Sequence, residues 1–172
     1  MRAGGMIFAA AVLCAIAAHA QPQARVTIVA LGASNTEGWG VSAAEAYPAK
    51  LQVLLNARGI DAAVINAGIA GDTTGGMLAR LERAVPAGTH LVILQPGTND
   101  ERMGLAAERA GNIDKMRSWL SAQKTRLIII ENAMLDALPR GELREDGVHF
   151  TPAGYAILAE SILPQVLAAL GR

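Results

Sequence analysis

The segment VTIVALGASNT, residues 26–36, predicts a strand and the turn that follows it. Residues 26–31 form an apolar run of the kind found in buried strands, and the small residues after it are typical of a tight turn. Ser34 lies in that turn, where the backbone would hold its hydroxyl off the end of a sheet. Enzymes that transfer acyl groups place nucleophiles in such positions. Ser34 is therefore the first candidate for a functional residue.

Apolar runs alternate with helical patterns along the rest of the chain. Further strands are predicted at residues 62–66, 90–95 and 126–131, and helices at residues 44–58, 73–85, 104–123 and 152–170. Strands that alternate with helices predict an α/β fold with a parallel sheet. Because the strands are apolar on both faces, helices should cover the sheet on both sides.

Polar side chains follow each predicted strand. Ser34 follows the first, Asp72 the second and Asn99 the third, and Asp146 and His149 follow the fourth. In an open parallel sheet, ligands bind at the carboxyl ends of the strands. We therefore expect these four loops to meet at one edge of the sheet and to form a functional site there.

Beyond residue 20 the chain has two histidines, His90 and His149. His90 begins a predicted strand at the opposite edge of the sheet, where a structural role is the simplest interpretation. His149 is the candidate general base, because Asp146 can reach its Nδ1–H across one turn and fix its tautomer and orientation. The alternative for His149 is a structural position near the start of the last helix.

An acyl-transfer site also needs donors for an oxyanion. The backbone N–H groups of Ser34 and Gly71 and the side-chain amide of Asn99 are the candidates. Each has a structural alternative, because Gly-Asp and Asn-Asp are common turn dipeptides and a serine before a helix is often its N-cap. The sequence around Ser34 is not G-x-S-x-G, so the nucleophile elbow of α/β-hydrolases is not supported.

Four blocks in chain order resemble those of the SGNH (GDSL-type) hydrolases, most closely the bacterial thioesterase, lysophospholipase and arylesterase branch. The blocks are ALGASNTEG at 30–38, NAGIAGDT at 66–73, GTND at 97–100 and DGVH at 146–149. The resemblance implies a three-layer α/β/α sandwich with a flavodoxin-like parallel sheet of four to five strands, in the order 2-1-3-4-5. It implies a catalytic triad of Ser34, Asp146 and His149, and an oxyanion hole of Ser34, Gly71 and Asn99. It implies no cofactor and no metal.

Two features depart from the family pattern. Ala33 stands where the family usually has an aspartate before the serine. The interval between Asn99 and Asp146 is also short, which leaves room for a four-stranded core or for a very short fifth strand within residues 132–145. A short interval further implies an open, shallow pocket that favours small or flat substrates.

Residues 1–20 have the pattern of a secretory signal peptide. Arg2 precedes an apolar stretch at residues 6–18 that is too short to span a bilayer, and Ala18-His19-Ala20 matches an A-x-A cleavage site. An uncleaved anchor is the alternative. Cleavage after Ala20 would leave residues 21–172 as one domain, in the periplasm or outside the cell. Cys14, the one cysteine of the chain, would be removed with the signal.

Charge and composition limit the classes of partner that the chain is expected to bind. Fifteen Lys and Arg balance fifteen Asp and Glu, so the chain has no electrostatic basis for binding nucleic acid or an anionic membrane. No second membrane segment follows residue 20. The expected partner is a small-molecule ester.

The leading hypothesis is a secreted serine esterase acting on carboxylic esters or thioesters. Two alternatives remain open. A metal-dependent hydrolase would use Asp72, Asp100, Asp146 and His149 as oxygen and nitrogen ligands, and EDTA would inhibit it. A catalytically inactive periplasmic binding module, which Ala33 keeps open, would not be labelled by a fluorophosphonate.

Overall fold

The computed structural model describes residues 25–172, and a four-stranded parallel sheet lies at their centre. The strands are β1 (Val26–Gly32), β2 (Ala62–Gly68), β3 (Leu91–Gln95) and β4 (Arg126–Ile129). Their spatial order is β2-β1-β3-β4, and every neighbouring pair is parallel. The predicted parallel α/β sheet is confirmed. The predicted signal peptide lies outside the described residues.

Helices cover both faces of this sheet. They are α1 (Ser34–Glu37), α2 (Tyr47–Asn56), α3 (Thr74–Ala79), α4 (Leu81–Ala84), α5 (Asn99–Arg102), α6 (Ala106–Ala122), α7 (Asn132–Asp136) and α8 (Pro152–Ala169). A short 3₁₀ helix spans Arg140–Glu142. Residues 132–145 therefore contain helical turns, and the described chain has four strands rather than five.

The alternation of side chains along β1 creates two cores. Ile28 packs with α2 and α8 on one face, while Val29 and Leu31 pack with α3, α4 and α6 on the other. All three side chains are fully buried. This double burial explains why the strand is a continuous apolar run, and it gives the three layers α/β/α.

For two helices, the bounds in the structure differ from the predicted bounds. The helix predicted at residues 73–85 is interrupted at Arg80, which ends α3 and precedes α4. Thr73 caps α3, and its hydroxyl accepts the N–H of Gly76 at 3.2 Å. The helix predicted from residue 104 begins at Ala106, because Gly104 has a φ of +73° and separates α5 from α6.

Other differences are small. β4 ends at Ile129, two residues before its predicted end, and α8 contains Pro164. Within residues 25–172, no helix combines the length and the apolar character needed to cross a membrane.

Candidate active site

Ser34 lies at the carboxyl end of β1, as predicted. β1 ends at Gly32, and Ser34 is the first residue of α1. A Cβ on Gly32 would lie 2.2 Å from the Thr36 Oγ1 and 2.8 Å from the Gln95 backbone oxygen, so no side chain fits there. This close approach sets the tight turn. As the first helical residue, Ser34 has a backbone N–H without an acceptor inside α1.

Ser34 is half-buried and lines a cavity of about 580 Å³ at the carboxyl edge of the sheet. The wall combines polar residues from the strand ends with apolar residues from the segment after β4. Among these lining residues are Ser34, Asn99, Leu135, Leu143, Val148 and Phe150. The loops after β1, β3 and β4 therefore meet around one cavity, as expected, whereas the loop after β2 that carries Asp72 contributes no residue to its lining.

His149 and Asp146 form a hydrogen-bonded pair. The His149 Nδ1 lies 2.8 Å from the Asp146 Oδ2, and the other carboxylate oxygen accepts the backbone N–H groups of Val148 and His149, both at 2.9 Å. The pair lies in a small antiparallel loop in which Leu143 bridges to Phe150. The predicted acid and base are therefore adjacent, with the imidazole held by the carboxylate.

The same hydrogen bonds lower the pKa of Asp146. The largest cause is the backbone N–H of His149, followed by the His149 ring and by the backbone N–H of Val148. Together they hold the pKa of this carboxyl well below its usual range. The carboxylate therefore stays ionised beside the imidazole, although its side chain is 42% exposed.

The other nitrogen of the imidazole faces a different environment. Among the described residues, the His149 Nε2 is buried and has no hydrogen-bond partner. The Trp39 ring lies with its centroid 6.1 Å from that of His149. A buried polar atom without a partner requires an explanation. A hydroxyl or a ligand atom that completes the site would provide one, and a base commonly forms its catalytic hydrogen bond only when substrate is bound.

Asn35 connects the Ser34 turn to the His149 loop, and sequence analysis did not identify it. The Asn35 side-chain amide donates to the Val148 carbonyl at 3.2 Å, and its oxygen accepts the Tyr155 hydroxyl at 3.1 Å. Burial raises the pKa of Tyr155 to about 12, so the phenol keeps its proton well into the alkaline range. The residue after Ser34 thus contacts the residue before His149.

The candidate oxyanion donors are only partly brought together. Asn99 begins α5 and lines the cavity with Ser34, and its Nδ2 donates to the Asp72 carbonyl at 2.8 Å. An amide has two N–H donors, so one remains for a ligand. Gly71, with a φ of +78°, is exposed and is not among the residues that line the cavity. It is connected to Asn99 through its neighbour Asp72.

The carboxylates of the alternative metal site have separate partners. Asp72 pairs with Arg80 at 2.8 Å, and Asp100 accepts the backbone N–H and hydroxyl of Thr74 at 3.0 and 2.6 Å. Asp146 pairs with His149. In the part of the chain that the structure describes, no three His, Cys, Asp or Glu residues are placed to hold a metal ion.

His90 has the structural role that its position predicted. Its Nδ1 accepts the backbone N–H of Thr27 at 3.1 Å, at the amino edge of the sheet. This bond connects the starts of β1 and β3, away from Ser34.

Comparison with known proteins identifies a family. The model of the GDSL-like Lipase/Acylhydrolase family matches residues 30–145, which is more than half of the chain. The match includes the blocks that contain Ser34, Gly71 and Asn99, and it ends one residue before Asp146.

Curated relatives and a solved structure agree with this match. The chain is 32% identical over 114 residues to an arylesterase from Vibrio mimicus, covering 65% of this chain and 57% of the relative. It is 32% identical over 115 residues to the esterase TesA from Pseudomonas aeruginosa, covering 64% of this chain and 56% of the relative. A crystal structure of TesA superposes with a TM-score of 0.76 at 25% identity, covering 83% of this chain and 99% of that one. The matched region thus spans little more than half of the curated relatives.

The pKa shift of Asp146 yields a pH prediction. We expect its carboxyl ¹³C resonance to stay in the ionised position from pH about 7 down to about 4, although an unperturbed aspartate titrates near 3.9. The pKa of Asp146 is lower in the folded protein than in the unfolded chain. Ionised Asp146 therefore stabilises the fold at pH values above the unfolded pKa, and this contribution is lost as the pH falls through the folded pKa. In His149→Ala the backbone N–H bonds remain, so the pKa should rise only part of the way. A wild-type midpoint at or above about 4 would contradict the assignment.

The Asn35 connection yields a second prediction, tested by amide hydrogen exchange and urea unfolding. Asn35→Ala removes both hydrogen bonds and leaves the buried Tyr155 hydroxyl unpaired, so it should cost about 1–3 kcal/mol. Exchange of the Arg144 amide, which donates to the His149 carbonyl, should accelerate beyond the change in global stability. Tyr155→Phe is the matched control, because it leaves the bond to Val148 intact. Equal local acceleration in both variants would show that Asn35 does not hold the loop.

Proposed function

The chain belongs to the GDSL-like lipase/acylhydrolase family, and we propose that it is a serine esterase that hydrolyses carboxylic esters through an acyl-enzyme. The observation that carries this proposal is the hydrogen-bonded pair of His149 and Asp146, whose loop contributes Gly147 and Val148 to the wall of the cavity that Ser34 lines. The names of the curated relatives, an arylesterase and an esterase, support the same class of reaction.

In the proposed mechanism, the Ser34 hydroxyl oxygen attacks the ester carbonyl carbon while the His149 Nε2 takes the hydroxyl proton. The resulting tetrahedral intermediate collapses, and His149 gives the proton to the leaving alcohol. Water then attacks the acyl-enzyme with His149 again as base, which releases the acid and restores Ser34. Asp146 keeps Nδ1 protonated and stabilises the imidazolium, a role that its lowered pKa favours.

The oxyanion of each tetrahedral intermediate needs donors that are already in place. We assign this role to the backbone N–H groups of Ser34 and Gly71 and to the Asn99 amide. Asn99 has the strongest support, because the Asp72 carbonyl orients its side chain at the cavity wall. No step of this mechanism requires a cofactor.

The cavity suggests a substrate class. Its lining includes the charged residues Arg102, Asp136 and Arg140 and the apolar residues Leu138 and Phe150. A volume of about 580 Å³ lies within the range of about 300–1,000 Å³ that is usual for small-molecule sites. We therefore propose aryl and short-chain esters as the preferred substrates, with thioesters as a second class that uses the same chemistry.

For location, we propose that residues 1–20 are a signal peptide and that the enzyme works in the periplasm or outside the cell. The A-x-A pattern at residues 18–20 supports cleavage after Ala20. The intact mass of the exported protein tests this: a chain that begins at Gln21 is expected, and a retained Met1 would contradict it.

The central experiment is hydrolysis of p-nitrophenyl esters from acetate to decanoate by residues 21–172. Ser34→Ala should lower kcat at least about a thousandfold, because removing a triad nucleophile leaves only binding and oxyanion stabilisation. Ser161→Ala is the matched control, since Ser161 is exposed in α8 and donates to the Ile157 carbonyl. Rates should fall as the acyl chain lengthens.

Two results would contradict the proposal. Most of the activity surviving in Ser34→Ala would exclude Ser34 as the nucleophile, and inhibition by EDTA would favour the metal-dependent alternative. A folded protein that hydrolyses no ester and resists a fluorophosphonate would instead favour the inactive binding module.

A further inference from the structure

Arg80 is a buried cation with two acceptors, one at each of two site loops. Its side chain is 10% exposed and that of Asp72 is 11% exposed. The Arg80 Nε donates to the Asp72 Oδ2 at 2.8 Å, and its Nη2 donates to the backbone carbonyl of Gly32 at 3.2 Å. Gly32 lies two residues before Ser34, and Asp72 directly follows Gly71. One guanidinium therefore connects the Ser34 turn to the Gly71 turn.

Asp72 extends the connection to a third loop. Its backbone carbonyl accepts the Asn99 Nδ2 at 2.8 Å, so Asp72 receives Arg80 on its side chain and Asn99 on its backbone. A glycine in α3 leaves room for the Asp72 carboxylate. A Cβ on Gly76 would lie 2.0 Å from the Asp72 Oδ1, so the glycine leaves the space that the carboxylate occupies.

Arg80 also interrupts a helix that the sequence pattern predicted to be continuous. It separates α3 from α4 and has φ −107° and ψ 4°, near the sparsely populated bridge region where active-site residues often lie. A departure from the local pattern at one residue commonly marks a functional requirement. Arg80, the residue at this break, is also the residue whose side chain contacts Gly32 and Asp72.

Stability alone explains this ion pair poorly. A buried ion pair usually contributes no more to stability than apolar residues of similar size, because both charges lose their hydration. A guanidinium does, however, impose directional geometry on the groups that it binds, since its N–H donors form a rigid planar fork. The arrangement is therefore better suited to fixing positions than to increasing the free energy of unfolding.

We propose that Arg80 is a positioning residue, which acts through Asp72 to hold the Asn99 amide and the Gly71 turn in place relative to Ser34. The inference rests on the proposed function for its effect on catalysis. Oxyanion donors work only within about 0.5 Å of the productive geometry, and a displacement of about 1 Å can cost a hundredfold in rate. Arg80 touches no reacting atom, so its loss should alter the rate rather than substrate binding.

The test compares Arg80→Lys with Arg25→Lys. Lysine keeps the charge at position 80 but cannot reach two acceptors with a fixed fork. We expect kcat to fall between about tenfold and about a hundredfold while KM changes less than about threefold. Arg25 is the matched control, because it pairs with Asp61 at 3.6 Å with both side chains about two-thirds exposed. Arg25→Lys should leave kcat unchanged.

A double-mutant cycle with Asn99→Ala separates positioning from general destabilisation. If Arg80 acts through Asn99, then Arg80→Lys should cost much less in the Asn99→Ala background than in the wild type. A purely structural role predicts the same fold-loss in both backgrounds, and that result would overturn the proposal. So would a wild-type kcat in Arg80→Lys.

A measurement that does not depend on catalysis tests the positioning role of Arg80 separately from the proposed function. The side-chain amide resonances of Asn99, identified by their loss in Asn99→Ala, should shift and exchange faster in Arg80→Lys. A wild type without esterase activity would defeat the proposed function, while unchanged Asn99 resonances would defeat the positioning role. If Arg80→Lys does not fold, Asp72→Asn gives the same test, since it removes the charge but keeps the backbone carbonyl.

Discussion

The burial of β1 on both of its faces determines where the other strands, the helices and the site loops lie. The strand pairs with β2 on one side and β3 on the other, and its central side chains are fully buried on both faces. A strand held in this way has little freedom at its end. No side chain fits at Gly32, where the strand ends, and Ser34 follows two residues later, so a strand that is buried on both faces sets its position.

The loops that complete the site are not paired in the sheet, and polar contacts between distant residues help to hold them. Asn35 connects the Ser34 turn to the His149 loop, Asp72 connects the Gly71 turn to Asn99, and Arg80 connects Asp72 to the end of β1. Each contact is directional and partly or wholly buried. Each such hydrogen bond contributes only about 1 kcal/mol net to the free energy of unfolding, but its direction defines which arrangement of loops is occupied. The site is therefore positioned by a rigid strand and by a few specific hydrogen bonds.

The sequence predicted those features of the fold and the site that depend on patterns of neighbouring residues. Apolar runs located all four strands to within about two residues, since burial on both faces leaves a strong signal. The motifs located Ser34, Asn99, Asp146 and His149 at the correct edge, because parallel strands bring their carboxyl ends together. The break at Arg80 left no signal in the local pattern, and the Arg80 side chain bonds to Gly32, 48 residues earlier in the chain. The Asn35 contact with Val148 spans 113 residues and left no local signal.

The proposed mechanism depends on Ser34 as the nucleophile, and covalent trapping shows whether Ser34 has that role. Residues 21–172 would be incubated with a fluorophosphonate, digested and mapped by mass spectrometry. We predict one phosphonyl group per chain, on the peptide that contains Ser34, with labelling strongly slowed in His149→Ala because Nε2 no longer takes the proton. An unlabelled chain, or a label on another residue at full stoichiometry, would contradict it.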